Sequence, residues 1–228
     1  MDKKLIYFQH MSKDSDYYVE KPSNIVSSPY EIDFVPKNYE ISMEKNSPWK
    51  FYNNPNKSIK EQGWKIHIST TMDDAQNILE IVSKIVFKRQ IAFKHIKDKQ
   101  TLFNLNSKHG DRISSGKFIA IYPQTDEEFV NLLDELYEEL KDYENGPYIL
   151  NDKSWKDSNI YYRYGAFINI YNEKGELCIK NEKGELILDN RNPYYKAPEF
   201  VKDFDQYLDS KNTLLNNIRK HKSIQLIS

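Results

Sequence analysis

The stretch that decides the fold is Trp64-Lys-Ile-His-Ile-Ser69, in which apolar and polar side chains alternate strictly. Successive side chains of a β-strand point to opposite faces of its sheet, so this alternation predicts a half-buried strand. Trp64, Ile66 and Ile68 face the core, and Lys65, His67 and Ser69 share the other face. At a rise of roughly 3.3 Å per residue, the Cα atoms of Lys65 and His67 lie about 6.6 Å apart. Both side chains can therefore reach one small ligand.

Strands and helices alternate on the C-terminal side of this stretch. Thr71, with Asp74 three residues later, predicts the start of a helix that ends near residue 89. Further strands are predicted at 90–95, 117–122 and 160–170, and Thr125 with Glu128 predicts the start of a second helix. On the strand at 90–95, Ile91 and Phe93 face one way, and Ala92 and Lys94 face the other. The order of elements indicates an α+β fold of mixed, mostly antiparallel sheets flanked by helices.

We expect one domain across residues 1–228. Residues 1–60 carry five prolines and are predicted to be an irregular segment that wraps over the core at 61–170. Residues 171–200 contain Asn-Glu-Lys-Gly-Glu-Leu twice, at 172–177 and 181–186, which predicts two tight hairpin turns. Residues 201–228 are predicted to form a C-terminal helix that leads toward a further domain.

Composition narrows the classes of function. The 228 residues carry 33 Lys and Arg against 34 Asp and Glu, so the basic excess of most nucleic-acid-binding proteins is missing. The single cysteine, Cys178, cannot form a disulfide within the chain or a multi-cysteine zinc site, which fits the cytoplasm. The first residues lack the apolar run of a signal peptide, and no stretch has the length of a membrane span. We therefore expect neither a nucleic-acid nor a membrane partner.

Basic side chains recur on the predicted strand faces and in the loop between them. Besides Lys65 and His67, they are Lys94, Arg112, Lys117 and Arg163. Each one alone also fits an interpretation without a function: a solvated lysine, a hydrogen-bonded histidine, or an arginine stacked on tyrosine. No carboxylate occupies the strand positions that face the same way. The set as a whole therefore favours an anionic ligand, and a phosphate in particular.

Six motifs follow one another along the chain: Trp64-Lys-Ile-His-Ile-Ser, Phe93-Lys94, Asp111-Arg-Ile-Ser-Ser-Gly-Lys-Phe-Ile, Ile121-Tyr-Pro, Gly146-Pro-Tyr-Ile-Leu and Tyr162-Arg-Tyr-Gly-Ala-Phe. In this order they resemble the N-terminal lyase domain of class III lanthipeptide synthetases. Those domains are similar in turn to the phosphothreonine lyase effectors of pathogenic bacteria. The resemblance spans about residues 60–170 in motif form, and it implies a phosphothreonine-lyase-like fold.

The resemblance also implies an activity and a role for each basic residue. The activity is β-elimination of phosphate from phosphoserine or phosphothreonine in a lanthipeptide precursor, which leaves dehydroalanine or dehydrobutyrine and needs no metal or cofactor. Lys94 matches the general base, His67 the general acid, and Lys65 the lysine that steadies the substrate carbonyl and phosphate. Arg112 and Arg163 match the phosphate-clamping arginines, and Lys117 matches a further phosphate contact.

The implied partners are a phosphorylated precursor peptide, with leader and core, and the kinase and cyclase domains of the same polypeptide. For the chemistry to work, Lys94 must lose its proton although free lysine has a pKa near 10.4. We expect crowding by Lys65, Arg112 and Arg163 to lower that pKa. His67, with an ordinary pKa near 6.5, is expected to donate a proton to the leaving oxygen.

Three alternatives remain open at the level of sequence. The same basic pocket would serve a phosphopeptide-binding module without catalysis. A free-standing effector lyase is the second, and the strand-like ending at 223–228 argues against it. The third is a metal site built from His67, His95 and His109, although their spacing matches no common zinc pattern.

Overall fold

A seven-stranded antiparallel sheet forms the centre of the molecule. The computed structural model describes residues 28–107, 110, 112–189, 191 and 194–201. The strands of this sheet are β1 (Glu40–Ser42), β2 (Trp49–Asn53), β3 (Gln62–Ile68), β4 (Ala92–Ile96), β5 (Ile119–Tyr122), β6 (Lys153–Ser154) and β7 (Ile160–Ala166), and their spatial order is β1-β2-β4-β5-β3-β7-β6. Every neighbouring pair of strands in it is antiparallel. The interior position of β3, between β5 and β7, explains why its alternation decides the fold.

Helices cover one face of this sheet. They are α1 (Ala75–Arg89), α2 (Lys99–Asn106) and α3 (Asp126–Leu140). The apolar faces of α1 and α3 pack with Ile66, Ile68 and Phe93 of the sheet in one buried core. The oxygen Oγ1 of Thr125 accepts a hydrogen bond from the Glu128 amide at 3.0 Å and so caps α3. The opposite face of the sheet carries the polar strand positions.

A second, three-stranded antiparallel sheet follows β7. It contains β8 (Ile170–Tyr171), β9 (Leu177–Lys180) and β10 (Leu186–Leu188), in the order β10-β9-β8. The turns between these strands place Gly175 at φ 74° and Gly184 at φ 80°, backbone angles that glycine adopts without strain. The two predicted hairpins are therefore confirmed. The amide of Asp189, just after β10, donates to the Leu177 carbonyl at 2.9 Å and fixes the segment that leaves this sheet.

The α+β, antiparallel architecture is confirmed, whereas several element boundaries were wrong. Residues 40–42 and 49–53 lie in the segment expected to be irregular, yet they pair as the first two strands, since short strands between prolines give little periodic signal. Helix α2 was not predicted. The strand expected at 160–170 ends at Ala166, and Ile170 already belongs to the small sheet. Residues 1–27 and the helix predicted beyond Val201 lie outside the described residues. No helix in the described part of the chain is long and apolar enough to cross a membrane.

Candidate active site

The register of the sheet brings the basic strand residues together on one face. His67 on β3 pairs with Ala120 on β5, and Ala120 pairs on its other side with Lys94 on β4. Lys94 and His67 therefore flank one alanine in a single row across the sheet, with Cα atoms about 10 Å apart at the usual strand spacing. Ala120, which lies between them, has a small side chain and is 1% exposed. Lys65 lies one pleat away and pairs with Arg163 on β7.

This polar face is buried, although the sequence predicted a half-buried strand. Lys65 is 6% exposed, His67 5% and Arg163 3%. Charged side chains are rarely buried to this extent unless counter-charges or acceptors accompany them. The Nζ amine of Lys65 donates to the Ala166 carbonyl at 2.8 Å. The remaining partners come from loops.

One loop carboxylate, Asp152, joins His67 to Lys117. Oδ2 of Asp152 contacts Nδ1 of His67, and Oδ1 lies 3.7 Å from Nζ of Lys117. Lys117 also donates to the Asn151 side chain at 3.0 Å and to the Ile113 carbonyl at 2.8 Å. Asp152 thus orients the imidazole and neutralises part of the cationic charge around it.

Two glycines allow the loops that carry Lys117 and Asp152 to meet. Gly116 has φ 82°, and a Cβ there would lie 2.8 Å from the Pro147 carbonyl oxygen. A Cβ at Gly146 would lie 2.3 Å from the Thr70 amide nitrogen at the end of β3. The Oγ of Ser69 then donates to the Pro147 carbonyl at 2.6 Å. The Gly-Pro motif noted in the sequence is therefore where one loop packs on the active-site end of β3.

A second loop carboxylate, Asp189, pairs with the arginine of β7. Its Oδ1 accepts from the NH2 group of Arg163 at 2.6 Å, and both side chains are buried. The NH2 group of Arg191 lies 3.7 Å from Oδ2 of the same carboxylate. The sequence analysis missed Asp152, Asp189 and Arg191, because all three lie in loops without a periodic pattern. The one signal was at Asp189, which directly follows the apolar run Leu186-Ile-Leu188.

The environment of Lys94 lowers the cost of removing its proton. Its Nζ lies 4.5 Å from the centroid of the Trp49 ring. Burial, followed by the charges of Arg191 and Lys117, lowers the pKa of Lys94 from 10.5 to about 8, while Glu44 acts in the opposite direction. The positive charges that lower the pKa of Lys94 are those of Arg191 and Lys117. The sequence analysis had expected Lys65, Arg112 and Arg163 instead.

The other ionisable groups are also shifted. Burial, opposed by Asp152, lowers the pKa of Lys117 to about 8, and burial together with Arg163 lowers the pKa of Lys65 well below its ordinary value. Burial lowers the pKa of His67, and Asp152 opposes that shift. Burial alone would raise the pKa of Asp152, but His67 and Lys117 more than offset it and hold the pKa below its usual range. Asp152 is therefore a carboxylate at neutral pH.

Five of the six predicted residues lie on this face or at its edge: Lys65, His67, Lys94, Lys117 and Arg163. Arg112 is different, because its side chain is exposed. It directly precedes Ile113, whose carbonyl binds Lys117, and so lies on the loop at the rim of the cluster. Together these groups offer a proton acceptor, a proton donor and several cations around one row of the sheet.

The proposed histidine metal site was wrong. His95 projects from the opposite face of the sheet to His67, where it stacks on Tyr52 with ring centroids 5.5 Å apart. His109 lies outside the described residues. Within the described ranges, no group of three or more His, Cys, Asp or Glu residues could hold a metal ion.

Comparison with known proteins gives one family match and several relatives. Residues 31–212 match the family model described as RamC, N-terminal domain. A probable SapB synthase of Streptomyces coelicolor is 36% identical over 147 residues, which cover 63% of this chain. The aligned part amounts to 16% of the length of that synthase.

Solved structures also match, at low identity. The type III effector and phosphothreonine lyase OspF of Shigella flexneri has a TM-score of 0.46 and 15% identity, with 70% of this chain and 84% of that chain covered. The Salmonella plasmid virulence C protein, SpvC, has a TM-score of 0.42 and 14% identity, with 76% and 86% covered.

Proposed function

We propose that this chain, which belongs to the RamC N-terminal domain family, is a carbon–oxygen lyase that eliminates phosphate from phosphoserine or phosphothreonine in a lanthipeptide precursor. The relative named probable SapB synthase supports a place in a biosynthetic synthetase. The observation that carries the reaction type is the buried row in which Lys94 and His67 flank Ala120. It offers a base and an acid on either side of one small residue, and the phosphorylated side chain is proposed to lie between them.

In the proposed reaction, Lys94 removes the Cα proton of the phosphorylated residue. The electrons of that C–H bond form the Cα=Cβ double bond, the Cβ–O bond breaks, and phosphate leaves with a proton from His67. The product is dehydroalanine or dehydrobutyrine, and no water is consumed. General acid and general base groups each contribute about 10² to 10⁴ in rate. Lys65 is proposed to stabilise the enolate-like oxygen, a contribution of about 10² to 10³.

Arginine and lysine have different tasks in this scheme. Arg163 and Arg112 are proposed to hold the phosphate, because the planar guanidinium binds it in two places and keeps its charge. Lys117 is proposed as a further phosphate contact from the loop that Asn151 and Asp152 fix. A lysine serves where the proton has to be released, and the lowered pKa of Lys94 supports that choice.

The protonation of His67 is proposed to depend on the substrate. Burial lowers its pKa in the empty site, whereas an incoming phosphate dianion and Asp152 both favour the imidazolium. The proton that His67 gives to the leaving oxygen is therefore taken up as the phosphopeptide binds. No metal or organic cofactor is required by this chemistry, and we expect full activity in the presence of a chelator.

A phosphoserine peptide incubated with the chain tests the proposal. Elimination yields dehydroalanine, which differs from the serine made by a phosphatase by one water, so mass spectrometry separates the two reactions. A thiol added to the mixture should then modify only the elimination product. Intact peptide despite measurable binding would favour the alternative of a binding module without catalysis.

Two variants test the roles. Lys94→Ala should abolish elimination and leave phosphopeptide affinity nearly intact, with Lys84→Ala, an exposed helix lysine, as its control. Arg163→Ala should weaken phosphopeptide binding, with Arg89→Ala, at a half-exposed ion pair on α1, as its control. Full activity of the first variant, or unchanged affinity of the second, would contradict these roles.

The wider setting is part of the same proposal. The precursor peptide is proposed to carry a leader that docks on the synthetase, and the phosphate is proposed to come from a kinase domain of the same polypeptide, with a cyclase domain consuming the product. We place the reaction in the cytoplasm, which the use of a single, buried cysteine supports.

A further inference from the structure

A carboxylate of the chain itself occupies the arginine pair of the site. Asp189 accepts from Arg163 at 2.6 Å and lies 3.7 Å from Arg191, so its two oxygens face two guanidinium groups. Its side chain is 1% exposed. Two cations converging on one small anion is the arrangement that a phosphate group also selects.

The surrounding backbone makes room for this carboxylate. Gly165 on β7 has no side chain, and a Cβ there would lie 3.1 Å from Oδ1 of Asp189 and 3.4 Å from the guanidinium carbon of Arg163. The anion thus lies directly over the strand that carries Arg163. Two surface cavities, of about 550 Å³ and about 190 Å³, both reach Asp189, the larger one beside Arg191 and the smaller one beside Arg163. A ligand could approach the pair from either side.

Arg191 contacts Asp189, but its guanidinium does not have all its hydrogen-bond acceptors among the described residues. Its Nε is buried without a hydrogen-bond partner among the described residues, and so is Oδ2 of Asp189. Its charge also lowers the pKa of Lys65, Lys94 and Lys117. A buried donor without an acceptor is costly, and a ligand with more acceptor oxygens than a carboxylate would remove that cost.

We propose that Asp189 stands in the place of the substrate phosphate in the ligand-free chain, and that Arg191 is a further phosphate-binding residue. The phosphate of the peptide displaces the carboxylate and takes both arginines, because it carries more charge and more acceptor oxygens than Asp189. Asp189 thereby weakens binding of unphosphorylated or weakly anionic peptides. The inference rests on the proposed function for the identity of the ligand, a phosphorylated peptide.

The competing interpretation is a purely structural ion pair, in which Asp189 only compensates the buried charge of Arg163. The two interpretations predict opposite signs for one measurement. If the carboxylate competes with phosphate, Asp189→Asn tightens phosphopeptide binding. If it only supports the fold, the same substitution weakens binding or leaves it unchanged.

Binding of a fluorescent phosphoserine peptide to the full chain, followed by anisotropy, makes this measurement. A charge-assisted hydrogen bond that is gained or lost changes an affinity by about tenfold or more. We therefore expect Asp189→Asn to lower the Kd at least about tenfold and Arg191→Gln to raise it about tenfold. Asp134→Asn and Arg89→Gln, each at an exposed or half-exposed ion pair, are the matched controls and should leave the Kd unchanged.

A second measurement guards against loss of the fold in Asp189→Asn. Inorganic phosphate should raise the thermal midpoint of that variant more than that of the unsubstituted chain, since a ligand stabilises according to its affinity for the folded state. Equal shifts in the two proteins, an Asp189→Asn variant that binds no more tightly, or an Arg191→Gln variant with unchanged affinity would each overturn the inference. If the affinities shift as expected but no dehydroalanine forms, the inference about Asp189 and Arg191 stands and the lyase proposal fails. If dehydroalanine forms and neither variant alters affinity, the lyase proposal stands and the inference about Asp189 and Arg191 fails.

Discussion

Replacing Lys94 by methionine should stabilise the protein by an amount that falls as pH rises. The amine is mostly buried, and its pKa is lowered from 10.5 to about 8. Between those values the unfolded chain binds more protons than the folded one, so stability increases with pH through this window. Methionine has a similar length and no charge, and it keeps the contact with Trp49.

The size of the effect follows from the two pKa values. Charge on Lys94 costs the folded state about 3.4 kcal/mol at pH 7 and about 1.4 kcal/mol at pH 9.5. The stability difference between Lys94→Met and the parent chain should therefore shrink by about 2 kcal/mol over this range. Buried tyrosines that do not interact with Lys94 are the same in both proteins and cancel in the difference.

Urea denaturation followed by tryptophan fluorescence at a series of pH values gives this difference directly. Lys37→Met, at an exposed position, serves as the control and should differ from the parent chain by a constant amount. The expected shape, a difference that declines as pH passes 8, does not depend on any catalytic assay. A difference for Lys94→Met that is constant from pH 7 to 9.5 would mean that Lys94 keeps its ordinary pKa, and the general-base proposal would lose its physical basis.

Two further substitutions test the loops that complete the site. Asp152→Asn should lower kcat by a factor of about 10² to 10⁴ with little change in KM, because it removes the counter-charge that favours the protonated imidazole of His67. Steady-state kinetics on a phosphoserine peptide measure both constants. An unchanged kcat would refute this role of Asp152. Gly116→Ala should destabilise the fold by about 1–3 kcal/mol, since its φ of 82° strains alanine and the new Cβ meets the Pro147 carbonyl. Denaturation midpoints measure that loss, and Gly175→Ala, with φ 74° and open space around it, should cost less.

Local pattern predicted those parts of the fold that are set by short-range rules. The alternation in β3 assigned Lys65 and His67 to one face correctly, because the two-residue period of a strand allows no other arrangement. The same rule separated Lys94 from Phe93 on β4. Capping by Thr125 and the glycines of the two hairpins were likewise local and were confirmed.

Long-range pairing could not be predicted. Nothing in the sequence gives the register that puts Ala120 between Lys94 and His67, since register depends on which strands meet and on the loops between them. Asp152 and Asp189 lie far along the chain from the residues they contact and carry no periodic signal. The exposure of the Arg112 side chain could not be predicted either, because it depends on how the loop between two strands folds.

The contacts, more than the residue type, separate the three lysines of the site. Lys65 and Lys117 each donate to a backbone carbonyl, and such acceptors favour an amine that keeps its protons. Lys94 instead lies over an aromatic ring, which favours a desolvated ammonium by about 2 kcal/mol and offers no lone pair to a proton. Although the pKa of Lys65 is also strongly lowered, its amine is already held in place as a donor. On these contacts we propose Lys94 as the lysine that accepts a proton, and the other two as lysines that stabilise negative charge.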